Sequence, residues 1–302
     1  MIGHRLMGNS LLSTGKPIES RAHYDHALAL YAPAEHRQLA TSFGQDVAVA
    51  ALAYRSVASW MLGYPAAALA DAEQTISNAR DIGQAPSLMY ALAIASLSFA
   101  FCGKYSTAKA LLDELRPLAE DKGAQWWKAF GMMEQGWLLA LTGKASDAAP
   151  LTASGITLWR SIGSTYWLPT FLSYLAMAYA ELSQFDDAWC RLSEAMTAIE
   201  TTWERWFEAE VYRIAGDVAL KSPQPDAAKA EAYFERALAV ARQQQAKSWE
   251  LRASISLARL WRDQGKVQQA RELLAPVYEW FTEGFDTRDL KEAKALLEEL
   301  AR

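Results

Sequence analysis

The chain has 302 residues, 51% hydrophobic and 22% charged, enough apolar material for a large core. A net charge of −5 and a pI near 5.5, with acidic and basic residues interspersed, supply no basic stripe and exclude nucleic acid as partner. No run of about 18 uncharged apolar residues suggests a membrane span, and the opening M-I-G-H-R-L-M-G-N-S lacks the apolar segment of a signal peptide. Cys102 and Cys190 have neither metal nor redox spacing and fit a reducing, cytoplasmic setting. Alanine and leucine abound, β-branched runs are scarce and prolines are few, so helix is expected throughout.

Residues 1–44 form the first unit. Its first helix carries Ile2, Leu6, Met7, Leu11 and Leu12, and its second adds Tyr24, Leu28 and Tyr31. One unit cannot hide all of these in a single interface. The N-terminal face is therefore expected to be covered, by an upstream domain or by self-association through this repeat. All four histidines, His4, His23, His26 and His36, lie here. His23 and His26 share a helix face, but no cysteine is near and Asp25 and Glu35 are not convincingly spaced, so no metal site is assigned.

From this unit onward one short turn keeps returning. S-T-G-K ends at Lys16, M-L-G-Y at Tyr64, F-C-G-K at Lys104, L-T-G-K at Lys144 and D-Q-G-K at Lys266. A Gly-Lys pair resembles the tail of a phosphate-binding loop. Leu138 and Ala145 stand where that loop needs Gly and Ser or Thr, so Gly143-Lys144 reads as an inter-helix turn. The turn glycines are separated by 48, 40, 40 and 122 residues, the last being three steps of about 40. The missing turns fall at Ser183 and at Ser222 to Pro225. Gly83, Gly123 and Gly163 keep the same step, each closing a helical stretch.

The register extends to packing positions. Seven residues before each turn position sits a small residue: Gly8, Ser56, Ser96, Gly136, Ala176 and Ala258. Five residues after it sits another: Ser20, Ala68, Ala108, Ala148, Ala188 and Ala270. Gly216 and Ala230 correspond in the proline-containing unit. Matched small side chains let paired helices approach closely. This pattern predicts an all-α fold, a tetratricopeptide-like α-solenoid of about fifteen helices in a right-handed superhelix with no sheet. The units are 1–44, 45–83, 84–123, 124–163, 164–203, 204–245 and 246–284, in one domain spanning 1–302. A capping helix over 287–301 has one apolar stripe and one charged face.

Several stretches carry a more specific likeness. They are H-A-L-A-L-Y-A-P-A-E-H-R-Q-L-A-T-S-F-G-Q-D, W-M-L-G-Y-P-A-A-A-L, E-R-W-F-E-A-E-V-Y-R-I-A-G-D, A-K-S-W-E-L-R-A-S-I-S-L-A-R-L-W and L-L-A-P-V-Y-E-W-F-T-E-G-F-D-T-R-D-L-K-E-A. Together they resemble the C-terminal region of large bacterial signalling ATPases. Those proteins often carry a class III adenylate/guanylate cyclase domain, or a winged-helix or LuxR-type DNA-binding domain, then an NTPase domain and a tetratricopeptide-like tail. The resemblance implies a sensory or regulatory tail and carries over no catalytic residue.

Aromatic residues recur near the starts of successive first helices: Trp126-Trp127, Tyr166-Trp167, Trp206-Phe207 and Trp249. First helices line the concave surface, so these residues form a candidate aromatic ladder for a partner. The alternative is that one aromatic per repeat packs against the next. Charged residues interleave with the ladder, among them Arg205, Arg213, Glu210 and Arg252, which would suit an amphipathic helix or an extended peptide. No G-x-S-x-G or H-E-x-x-H occurs, and the adjacent pairs Asp186-Asp187 and Glu298-Glu299 diverge on a helix. The expected function is a non-catalytic protein- or peptide-binding scaffold without cofactor. Its partner would be another protein or peptide, or an upstream NTPase or cyclase domain. The alternative is a small-molecule sensor with its ligand in the concave groove.

Overall fold

The computed structural model describes residues 1–302 and contains seventeen helices and no strand. The first unit holds α1 (Ile2–Ser13) and α2 (Pro17–Ala29), followed by two short helices, α3 (Pro33–His36) and α4 (Leu39–Phe43). Five antiparallel pairs follow: α5 (Val47–Met61) with α6 (Pro65–Ile82), α7 (Ala85–Phe101) with α8 (Tyr105–Asp121), α9 (Gln125–Leu141) with α10 (Ala145–Ser161), α11 (Leu168–Glu181) with α12 (Phe185–Thr202), and α13 (Glu208–Lys221) with α14 (Ala227–Gln243). The chain ends with α15 (Lys247–Asp263), α16 (Val267–Glu279) and α17 (Arg288–Leu300). The count exceeds the expected fifteen because α3 and α4 break the long first connection into two single turns. The architecture is a tetratricopeptide-like α-solenoid.

The two helices of each pair have different compositions, and this places them. In α5 and α7 almost every residue is buried, so these helices line the inside. Their partners α6 and α8 bury one stripe, with Ala68, Ala72 and Ala79 on the first and Leu111, Leu112 and Leu115 on the second. Such one-sided helices form the outer layer. Asp46 starts the inner series by accepting the backbone N–H groups of Ala48 and Val49, two donors a helix N-terminus otherwise leaves unpaired.

All the small residues at the matched positions are buried, as close helix approach requires. The approach is tightest where α9 crosses α10. A Cβ placed on Gly136 would stand 2.0 Å from Thr152 Oγ1 and 3.1 Å from the Ala148 carbonyl oxygen. At the turn of the same pair Gly143 has φ +79°, a left-handed conformation in which a side chain is strained.

The solenoid returns on itself. Ser248 Oγ donates to the carbonyl of Trp60, and Arg252 donates to the carbonyl of Phe101, across 188 and 151 residues of sequence. The Glu283 carboxylate accepts the N–H groups of Ala66 and Ala67 at 3.0 and 3.1 Å, capping α6 from the far end of the chain. Lys104 pairs with Asp286 at 2.7 Å. The Arg205 N–H donates to the Ser13 carbonyl at 2.6 Å. The last helices therefore close over the first full pairs. A cluster of 63 buried residues, from Leu12 to Trp249, fills most of the interior, and a separate cluster of 11, from Leu251 to Leu300, holds the last three helices together.

On the N-terminal hairpin Leu6, Met7, Ile18 and Leu30 are exposed. No helix is long and apolar enough to cross a membrane.

Candidate functional site

Closure of the superhelix turns the concave surface into an axis, and aromatic rings plug it. Six rings from successive inner segments form an unbroken circuit. Trp60 stacks on Phe101 at 4.3 Å between centroids, and Phe101 meets Trp137 at 5.2 Å. Trp137 stacks on Tyr174 at 4.4 Å, and Tyr174 meets Phe207 edge-on at 5.2 Å. Phe207 meets Trp249 at 5.0 Å, and Trp249 returns to Trp60 at 4.5 Å. Four of these separations fall in, and two just under, the range where stacked and edge-to-face pairs add to simple area burial.

The expected ladder divides on this plug. Trp167, Trp206, Phe207 and Trp249 are no more than 2% exposed, so they form no open binding surface. The correction has a tertiary cause. Rings that would line an open groove meet rings from the opposite side once the solenoid closes. Trp126 and Trp127 are half-buried, the first stacked on Phe130 at 5.3 Å and the second against Tyr90 at 5.4 Å. Tyr166 is half-buried, its hydroxyl accepting Ser13 Oγ–H at 3.1 Å. Arg205 is half-buried, its guanidinium 5.0 Å from the Trp203 ring and 3.6 Å from Glu208.

Two of the aromatic pairs also precede their helices instead of starting them. Tyr166-Trp167 and Trp206-Phe207 lie in turns before Leu168 and Glu208, and Trp167 has φ +69°. The buried Glu204 carboxylate captures the chain, accepting the Trp167 N–H at 3.0 and 2.9 Å and the Trp206 Nε1–H at 3.1 Å. Burial pushes the Glu204 carboxyl up to about 7, against these two hydrogen bonds, which lower it.

Of the expected residues, Arg213 lines the remaining opening of the axis, together with the interleaved charges Glu210 and Arg252. This mouth is a cavity of about 200 Å³ above the plug. Its apolar side is Trp137, Tyr174, Met177 and Ile255, and its charged side is carried by α13, α15 and α17. A chain of ion pairs crosses it. Arg213 holds Glu210 through Nε and Nη2 at 2.7 and 2.8 Å. Arg252 lies 3.5 Å from Glu210 and 2.6 Å from Asp289. Arg288 meets Asp289 at 3.0 Å and Glu292 at 3.4 Å, and Arg259 reaches Glu292 at 3.3 Å. Arg252 also seals the plug, its guanidinium 4.9 Å over Trp60 and 5.2 Å over Trp249.

The fields at the mouth follow from this pairing. Burial alone would raise the Asp289 carboxyl, but Arg252 and Arg288 hold it below the usual carboxylate range. Burial would lower the Arg213 guanidinium, and Glu210 with Asp217 more than compensates. Four guanidinium groups face three carboxylates in the lining. Two further donors, Trp137 Nε1–H and the Tyr174 hydroxyl, are buried without a protein partner. Arg213 also pairs with Asp217 at 2.5 Å, so the charges balance and the unspent donors of the mouth are these two groups, beside an apolar wall. No group of His, Cys, Asp and Glu side chains is arranged to hold a metal ion.

Sequence reasoning singled out Arg213, Glu210 and Arg252 but passed over Trp60, Phe101, Trp137, Tyr174, Arg288 and Asp289. The six plug rings share no register. Trp60 lies three residues before its turn glycine, Phe101 two and Trp137 six, so a forty-residue period could not collect them.

No family model matches the chain, and no curated protein matches it. Solved structures share its fold at low identity. A Rap protein complexed with competence and sporulation factor has a TM-score of 0.66 at 12% identity, covering 99% of this chain and 79% of that one. A plasmid Rap conjugation regulator in complex with the Phr* peptide has a TM-score of 0.65 at 11% identity, covering 98% and 73%. A signal transduction ATPase with a tetratricopeptide repeat sensor, from Pyrococcus horikoshii, has a TM-score of 0.58 at 15% identity; the match covers 97% of this chain and 42% of that one. The chain is thus similar in fold to tetratricopeptide-type repeat proteins, a sensor module of a signalling ATPase among them.

Proposed function

We propose that the chain is a non-catalytic protein- or peptide-binding scaffold, the regulatory or sensory part of a bacterial signalling ATPase, cyclase or transcription regulator. The observation that carries this reading is the mouth. It is the part of the concave surface left open by the plug, and it combines unpartnered donors, guanidinium groups and an apolar wall. Such a lining suits a peptide segment, which brings carbonyl and carboxylate acceptors together with an apolar side chain. Its volume of about 200 Å³ lies below the roughly 300–1,000 Å³ of pockets that enclose drug-sized ligands. That favours one residue or one chain end over a free small molecule held in the concave face, the second reading. The likeness to peptide-bound Rap proteins and to a signalling-ATPase sensor supports the same direction. The exposed Leu6, Met7 and Ile18 support a contact of the N-terminal face with an upstream domain or a second copy.

Selection of a random peptide library on the full chain tests the reading. Enriched peptides are expected to compete with one another and to lose at least tenfold in affinity on Arg259→Glu, a half-exposed mouth residue whose loss spares the plug. Peptides that bind the variant equally well would remove the mouth as the site.

A further inference from the structure

We propose a second ligand site, on the outer face between α8 and α10, that takes a single-chain amphipathic anion such as a medium-chain carboxylate. This groove has a volume of about 460 Å³. Its floor is Leu138 and Leu139 of α9, and Tyr105 and Leu151 form its walls. It lies on the opposite face of α9 from the mouth and does not depend on the function proposed for that opening.

Phe99, Leu139 and Tyr179 occupy the same place on three successive inner helices, forty residues apart. Leu139 is the one of the three without a ring, and it lines the groove, so a larger side chain there takes up part of its volume.

The charge at the rim selects the ligand. Lys109 is matched by Asp113 at 2.5 Å. Lys144, exposed at the α9–α10 turn, has no carboxylate within the 4.0 Å of an ion pair. One unmatched cation at the end of an apolar trough suits one anionic head on one apolar tail. Heavy atoms take roughly the volume of a water each, about 30 Å³, so the groove holds on the order of a dozen. That is a carboxylate on a chain of about ten carbons, too small for a diacyl lipid. The groove also touches the mouth's ion-pair chain, because the Tyr105 hydroxyl accepts from Arg288 Nη1 at 2.6 Å.

Isothermal titration of the full chain with sodium decanoate, below its micellar concentration, and separately with decanol is the test. Decanoate should bind at one site per chain, and decanol at least tenfold more weakly. Leu139→Phe, which installs the residue type present at Phe99, should abolish decanoate binding while the melting temperature and helical circular dichroism are kept. Lys144→Gln, at an exposed turn, should bring decanoate down to the affinity of decanol. Absence of decanoate binding to the wild type, or unchanged binding to Leu139→Phe, overturns the site. Equal affinity for acid and alcohol, or insensitivity to Lys144→Gln, overturns the anionic selection.

Discussion

The plug and the mouth lie next to each other on one axis and share Arg252, yet they solve opposite problems. The plug is six rings with no charge among them, drawn from segments up to 189 residues apart, and its faces are spent on one another. The mouth is a row of paired charges beside two polar groups without partners. A closed superhelix must bury something where its ends meet, and nondirectional apolar contact does this without demanding an exact register. Recognition needs directed donors left unspent, and two of them lie where the axis opens.

The largest expected effect lies in the plug. Trp249→Ala should cost roughly 3–5 kcal/mol, the range for a buried large aromatic, because it removes the ring that joins Phe207 back to Trp60. Denaturant unfolding measures this, and a loss under about 1 kcal/mol would mean the rings do not hold the closure. Next comes Glu204, which ties two turns beneath the plug. Its folded carboxyl is raised from 4.5 to about 7, so the folded state binds the proton more tightly than the unfolded chain. The stability it contributes is present below pH 4.5 and is lost as pH rises through 7. The linked change is about 3 kcal/mol. Glu204→Gln keeps an acceptor and should flatten the stability–pH curve across that window. A variant curve as steep as the wild type's would assign the slope to another group.

Gly136→Ala tests close approach within one pair, outside both axial regions. The added methyl collides with Thr152, and the expected cost is about 1–3 kcal/mol by thermal melting. At the boundary of plug and mouth, Tyr174→Phe removes a buried hydroxyl that has no partner. Stability should hold or rise by about 1 kcal/mol, since an unpaired polar group is costly to bury. Peptide binding at the mouth should weaken in the same variant. A destabilised Tyr174→Phe would show that the hydroxyl is already satisfied. The smallest effect is expected at the turn, where Gly143→Ala should cost about 1 kcal/mol for its left-handed backbone and nothing for contacts, as its Cβ meets no atom within 4 Å.

The sequence by itself determined the helices, their pairing and their spacing, because each rests on contacts close along the chain. Gly63, Gly103 and Gly143 end one helix and begin the next, and all three have positive φ. Small residues such as Ala68, Ala108 and Ala148 mark where partners touch, and all three are fully buried. The 124–163 unit holds one helix on each side of Gly143, Gln125–Leu141 and Ala145–Ser161. Two departures were hidden: Trp203 stands where Gly83, Gly123 and Gly163 predict glycine, yet it holds the same left-handed conformation at φ +60°. Trp167 leaves the helix because a carboxylate 37 residues away captures its N–H. What only the tertiary structure decided is the fate of the concave face. A repeat period records how each unit meets its neighbour, but not the accumulated rotation that brings α15 back to α5. That rotation turned Trp167, Trp206, Phe207 and Trp249 from a candidate surface into core, and it assembled Arg213, Arg252 and Asp289 at the opening that remained.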